Sequence, residues 1–165
     1  MILETKRLYL RTFFLADASR MSEYRNKPEV ARYQSWKHYT IKDAIKRIQY
    51  CQKITEYNRP KTDYHLAIIQ KEQDVLIGDL FVEIINPSSF TLGYTLDSLY
   101  WSKGYALEIV QAFLCYMKET YHFKKVICYV YNDNVKSIQL LKKLGFEKFD
   151  ESYFYGDSGY MKKLR

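Results

Sequence analysis

Glycine is scarce in this chain, and where it stands limits the phosphate chemistry open to it. Only six occur, at 78, 93, 104, 145, 156 and 159. No two of them make G-x-G-x-x-G and none leads into G-K-[ST], so neither the dinucleotide fingerprint nor the Walker loop is present. Cysteine is scarcer still. Cys51, Cys115 and Cys128 are odd in number, widely spaced and set in apolar patterns, which predicts buried free thiols in a reducing compartment. The histidines, His38, His65 and His122, are as scattered, and no two of these six side chains fall at zinc-ligand spacing, so no metal site is expected. Long apolar runs are also missing. The opening MILETKRLYLR carries a charge at every third or fourth place, which excludes a signal peptide, and nothing approaches the length of a membrane span. The expectation is a cytoplasmic protein with no membrane partner.

What is present fits one folded domain over residues 1–165, a length that buries roughly two thirds of the unfolded chain's surface. With 47% apolar and 27% charged residues, the composition is that of a globular chain rather than a disordered one. The net charge of +7 draws anions in general, nucleic acid among them, and does not choose between partners. The 17 tyrosines are spread along the chain without a paired aromatic strand motif, which argues against nucleic acid.

The chain is organised around residues 92–109, LGYTLDSLYWSKGYALEI, which read as strand, short acidic turn, glycine-bearing loop and helix. A helix N-terminus presents amide N–H groups without intrahelical partners and about half a positive charge, a natural seat for phosphate. Gly104, lacking a Cβ, lets backbone approach such a guest, and Lys103 adds a full charge. An ordinary strand-to-helix turn beside a solvated lysine is the plainer alternative.

Around this unit the pattern predicts a first strand over 8–13, a short helix over 17–25, and a helix from the Thr40/Asp43 capping box to about Glu56. Three antiparallel strands follow at 64–69, 75–85 and 90–96, with Gly93 marking a bulge or a close backbone approach. A helix from Gly104 to about Tyr121 leads to a two-faced apolar strand at 125–131, central and parallel, by a right-handed crossover. The last helix opens at 134–137 and closes at Gly145, an αL cap. Residues 146–164 read as a pair of strands around 156–159.

The run Trp101-Ser102-Lys103-Gly104-Tyr105-Ala106, followed by Glu108, resembles the acetyl-CoA loop of the GNAT N-acetyltransferases, Q/R-x-x-G-x-G/A, and within them the RimJ/RimL branch. Trp101 stands where the general pattern has Gln or Arg, and Ser102 replaces that branch's first glycine. Asn134, Ser137 and then Leu144-Gly145-Phe146 match a second GNAT motif some forty residues on. The resemblance implies the α/β GNAT fold: a mixed, mostly antiparallel sheet with a β-bulge and a splayed strand pair, flanked by helices on both faces. It implies acetyl-CoA as co-substrate, held by Trp101, Ser102, Lys103, Gly104, Tyr105, Ala106, Asn134 and Ser137, with Thr95 and Leu96 offering backbone to the pantetheine arm.

Transfer to an amine needs a free-base acceptor, stabilisation of the oxyanion and a proton for the departing thiolate. The family's usual tyrosine acid falls on Leu141 and is absent, and Ser137 on the same helical face takes that role by resemblance. Alternatively, its hydroxyl bonds back to the first-turn backbone. Glu83 is the first candidate base, with Asp79 on the same face; Asp150, Glu151 and Asp157 fall at no matching register. Trp36, Tyr39, Tyr50 and Tyr57 lie where the family's early helices flank the acceptor pocket, although such aromatics also serve as plain core. The expected activity is acetylation of a primary amine, a peptide N-terminus or a small amino-acid-like amine, by direct attack in a ternary complex of a monomer or homodimer. A CoA-binding protein without catalysis, or an acetyltransferase of antibiotics or polyamines, is the alternative.

Overall fold

The computed structural model describes residues 1–151 and 156–165. Eight strands form one sheet in the order β1-β2-β3-β4-β5-β6-β8-β7. Strands β1 (Leu3–Glu4) and β2 (Leu8–Arg11) lead into the helices α1 (Ala18–Arg25), α2 (Pro28–Ala31) and α3 (Ile41–Cys51). The meander β3 (Thr62–Gln70), β4 (Val75–Asn86), β5 (Ser89–Leu96) follows, then α4 (Tyr105–Tyr121), β6 (Lys125–Tyr131), α5 (Val135–Lys143), β7 (Glu147–Glu151) and β8 (Asp157–Lys163).

Alternation along the strands builds two cores. Even-numbered residues of β3, β4 and β5, including Leu66, Ile68, Leu80, Val82, Phe90 and Leu92, face one side with Ile109, Val110, Phe113 and Met117 of α4. Ala67 and Ile69 face the other side with Met21 and Tyr24 of α1 and Ala44 and Ile48 of α3. Each such aliphatic or aromatic side chain taken out of water contributes about 1.5–3 kcal/mol before chain entropy is counted. The Thr40 hydroxyl accepts the Asp43 N–H at 3.1 Å and the Asp43 carboxylate accepts the Thr40 N–H at 2.8 Å, which fixes the start of α3. Among the described residues no helix is long and apolar enough to cross a membrane.

Four expectations change. The helix expected to reach Glu56 stops at Cys51: beyond the C-cap Gln52, the Lys53 and Ile54 N–H groups bond the carbonyls three residues back, those of Tyr50 and Cys51, and the α-helical ladder ends, although Ile54 still packs against the core. The β4–β5 register runs unbroken through Gly93, so no bulge lies there. The close approach belongs to Gly78, where a Cβ would collide with the Thr95 carbonyl and come within 2.7 Å of Leu96. Cys115 is exposed, on the outer face of α4, while Cys51 and Cys128 are buried. Lastly, Asp157 to Gly159 belong to β8 rather than to a turn, and the connection from β7 falls on 152–155, outside the described residues.

Candidate active site

The feature that makes a site is a seam. β5 and β6 run parallel, yet they pair only at Ser89, Phe90 and Thr91 with Lys125, Val126 and Ile127. Beyond Thr91 the strands part, and β5 keeps its partner β4 on one side while its other side lies open. The Asp97 N–H bonds the Ile77 carbonyl across to β4 at 2.8 Å. Since successive residues of an antiparallel strand alternate between bonding and not bonding one neighbour, Thr95 also turns its backbone to β4, and Leu92, Tyr94 and Leu96 turn theirs to the open side. Of the two residues expected to offer backbone to the pantetheine arm, Thr95 therefore turns its own to β4, away from the open side. The Leu96 carbonyl does face the open side, but it already accepts the Trp101 indole N–H at 2.9 Å.

At the top of the opening stands the loop into α4. Ser102 and Gly104 both take positive φ, 59° and 79°, and together reverse the chain so that the first amides of α4, those of Tyr105 and Ala106, point outward from its N-terminus. The loop is anchored from beneath by Glu108 of its own motif and by residues that sequence reading passed over, Arg7 first among them. Arg7 donates to the Lys103 carbonyl at 2.9 Å and to Glu108 at 2.7 Å, and its guanidinium lies 4.4 Å over the Tyr105 ring. Burial alone would raise the Glu108 carboxyl, but hydrogen bonds from Thr5 and Arg7 outweigh it and hold it below its ordinary value. Asp97, fully buried, is likewise pushed up by burial and drawn down further by Lys27, at 2.5 Å, and by Arg20, which fasten α1 and the segment after it to the same loop. Two ammonium groups stand over aromatic faces of the loop, Lys103 at 5.4 Å from the Tyr100 ring and Lys136 of α5 at 5.8 Å from the Trp101 ring. Ala106, in the first turn of α4, is half-buried.

Across the opening lies the first turn of α5. Asn134 caps it, its side-chain oxygen accepting the Ser137 N–H at 3.3 Å. Among the described residues the Ser137 hydroxyl bonds not to that backbone but to the Tyr94 phenol of β5, at 2.5 Å. Leu141, one turn on, is fully buried in the core.

The opposite face of the sheet carries the carboxylates. Glu83 is exposed, pairs in register with Thr91, the last residue of the seam, and makes no side-chain bond or ion pair among the described residues. Asp79 is otherwise engaged: 1% exposed, it accepts from Arg25 at 2.6 and 3.2 Å and from the Tyr24 hydroxyl. A buried carboxylate so paired anchors α1 to β4 and is a structural ion pair rather than a base. Beside it His65 receives the Arg47 guanidinium at 2.7 Å on Nδ1 and lies 3.7 Å from Asp79 through Nε2. Burial first, then Arg25 and Arg47, hold this imidazole neutral well below its ordinary titration range.

Over this network opens a shallow cavity of about 500 Å³, lined by Trp36, His38, Tyr39, Asp43, Lys46, Arg47 and Tyr50. Two of these rings rest on the buried network, the Arg25 guanidinium lying 4.2 Å from the Trp36 ring centre and 4.7 Å from that of Tyr39. Three of the four aromatics considered for a pocket thus line one, and Tyr57 packs instead edge-on against Tyr64 of the core.

A family model, the acetyltransferase (GNAT) domain, matches residues 7–147. The chain is 31% identical over 148 residues to the N-acetyltransferase p20 of Bacillus licheniformis, covering 88% of this chain and 82% of that one. Among solved structures, a ribosomal-protein-S5-alanine acetyltransferase from Vibrio fischeri superposes with a TM-score of 0.82 at 21% identity, over 98% of this chain and 95% of the other. A spermidine N-acetyltransferase from Vibrio cholerae, solved with CoA and spermine, superposes with a TM-score of 0.79 at 17% identity over 97% of both chains. At such identities the two structures share the fold.

Proposed function

The chain belongs to the GNAT family of acetyltransferases, and from that premise we propose that it acetylates a peptide N-terminus or a small amino-acid-like amine by direct attack in a ternary complex. As a family member it is an acyltransferase that takes its acetyl group from acetyl-CoA. The residues on either side of the seam fit that co-substrate. The amides at the start of α4, with Lys103 and Lys136 beside them, receive the pyrophosphate, and the open side of β5 receives the pantetheine arm. The Tyr94 N–H, turned to the open side, serves the oxyanion, Ser137 donates to the departing thiolate, and Glu83 at the mouth of the seam accepts the amine's proton.

One observation carries the choice of acceptor: the cavity wall sets two basic side chains, Lys46 and Arg47, the latter paired with Asp63, against the single carboxylate of Asp43. Such a wall disfavours polyamines, although the chain shares its fold with a spermidine acetyltransferase. Amine chemistry points the same way. An α-amino group, at 7.7–8.0, is roughly one tenth free base at neutral pH, whereas a lysine amine at about 10.4 costs about 3.4 kcal/mol more to deprotonate. An α-amine therefore asks least of a site whose one unpaired carboxylate stands in solvent. The test is competition at equal concentration near pH 7 between a peptide N-terminus, spermidine and an internal lysine peptide, read by thiol release and product mass. Preference for the α-amine is expected, and faster acetylation of spermidine or of the lysine peptide overturns the reading.

A further inference from the structure

We propose that Tyr94 is a positioning residue for the departure of the thiol: its phenol donates to Ser137 Oγ and so turns the serine's own proton toward the pantetheine sulfur. The proposal rests on the reading of Ser137 given above and adds a residue from the opposite wall of the site. Tyr94 lies three residues beyond the last β5–β6 pair, and its ring spans the opening to the first turn of α5. The two hydroxyls are 2.5 Å apart although 43 residues separate them in sequence, so the contact exists only when both walls of the seam are in place. Tyr94 is half-buried.

The direction of the bond follows from acidity. A phenol, with a reference value near 10, is a far stronger acid than an alkyl alcohol, so between the two the tyrosine donates and the serine accepts. Burial pushes the Tyr94 phenol further up, and the phenol keeps its proton, and with it its capacity to donate, through the whole neutral range. With one lone pair of Ser137 Oγ engaged by Tyr94 and the Ser137 N–H capped by Asn134, the serine's own hydrogen is left for a third partner; the Ser137 carbonyl, 3.5 Å from the phenol, is the weaker competing acceptor for the tyrosine. A hydroxyl polarised in this way is a better donor than a free one.

In the step itself the amine nitrogen bonds the thioester carbonyl carbon and the C–S bond breaks. Its electron pair moves onto sulfur, against the Ser137 hydroxyl. The amine's proton passes to Glu83 and on to solvent, and the thiolate, held by the Ser137 hydrogen bond as it leaves, takes its proton from solvent on release, so Ser137 and Tyr94 end the cycle as they began it. Fixed donors aimed at charge that develops only in the transition state raise kcat rather than substrate affinity.

The test uses the full chain with the acceptor preferred in the competition above, and compares Tyr94→Phe, Ser137→Ala and the double variant for kcat, KM for acetyl-CoA and melting temperature. Removing the phenol oxygen keeps the ring in place, so folding is retained. Y94F is expected to lower kcat about tenfold, the upper end for one hydrogen bond, with KM for acetyl-CoA within about twofold. The double variant is expected to be no slower than S137A, because a residue that acts only through another has nothing left to add. Losses that multiply in the double variant overturn the proposal. So does a Y94F protein with wild-type kcat, or one in which only KM and melting temperature move. Wild-type kcat in S137A instead sinks the underlying assignment of Ser137, and is told apart from failure of Tyr94 alone, in which S137A is slow and Y94F is not.

Discussion

Ser102 takes φ 59°, a left-handed conformation in which the Cβ of an L-residue crowds the following carbonyl at a cost of about 1–2 kcal/mol. The loop adopts it because Gly104, two residues on, completes the reversal that exposes the α4 amides. Ser102→Gly relieves the crowding, less the extra freedom glycine has when unfolded, and is expected to stabilise the protein by about 0.5–1 kcal/mol. Thermal unfolding should show a melting temperature a few degrees higher with acetyl-CoA binding retained; a lower one would mean that the serine side chain supports the loop. At this scale the sequence was readable where a residue's role is local. Gly104 and Gly145 sit at turns their own neighbours define, and both take positive φ. Gly78 was not readable, because what forbids a side chain there is the Thr95 carbonyl of another strand. Tyr94 was overlooked for the same reason: its partner comes from a helix that begins forty residues later.

The packing of α1 and α3 onto β3 and β4 depends on a charge network of which sequence shows only fragments. Arg25, Arg47, Asp63, His65 and Asp79 come from four elements, and no spacing within any one of them announces the set. Capping boxes and strand alternation, which are local, predicted the elements themselves well. The network has a consequence in pH. His65 stays neutral in the folded chain well below its ordinary value of 6.5, whereas the unfolded chain takes up a proton there. The unfolded state thus binds more protons below about pH 6.5, and stability falls as the pH is lowered through that window. Against His65→Gln, whose side chain also accepts from Arg47, the wild type should lose about 1.4 kcal/mol more per pH unit between about pH 6.5 and 5. Denaturant midpoints at several pH values measure this, and parallel curves for the two proteins would show that His65 is not held neutral. Glu108 and Asp97, drawn down by their partners, weaken the fold only at lower pH, as their carboxyls take up protons.

Across the whole molecule two short motifs were enough to place the chain in its family, because each is contiguous and the crossover between them is fixed by the handedness of strand, helix, strand. The extent of the β5–β6 pairing was not legible, since it depends on where two distant strands stop matching. That seam divides the sheet unevenly. On one side five strands pair antiparallel, each with its neighbour in sequence; on the other β6, β8 and β7 form a second antiparallel group, and three residue pairs join the two. Seen as a matter of cooperativity, the last quarter of the chain, from β6 on, is a candidate unit of sub-global opening, tied to the rest by α4 and by side-chain packing more than by backbone. Amides of β6 and β8 are then expected to exchange with deuterium at a lower opening free energy than those of β3 and β4, and to slow selectively when CoA bridges the seam. Equal protection of the two groups, with and without CoA, would show that the sheet opens only as a whole. If they differ, the space that admits the co-substrate is also the line along which the native state comes apart, and an acetyl donor in place is a splint across it.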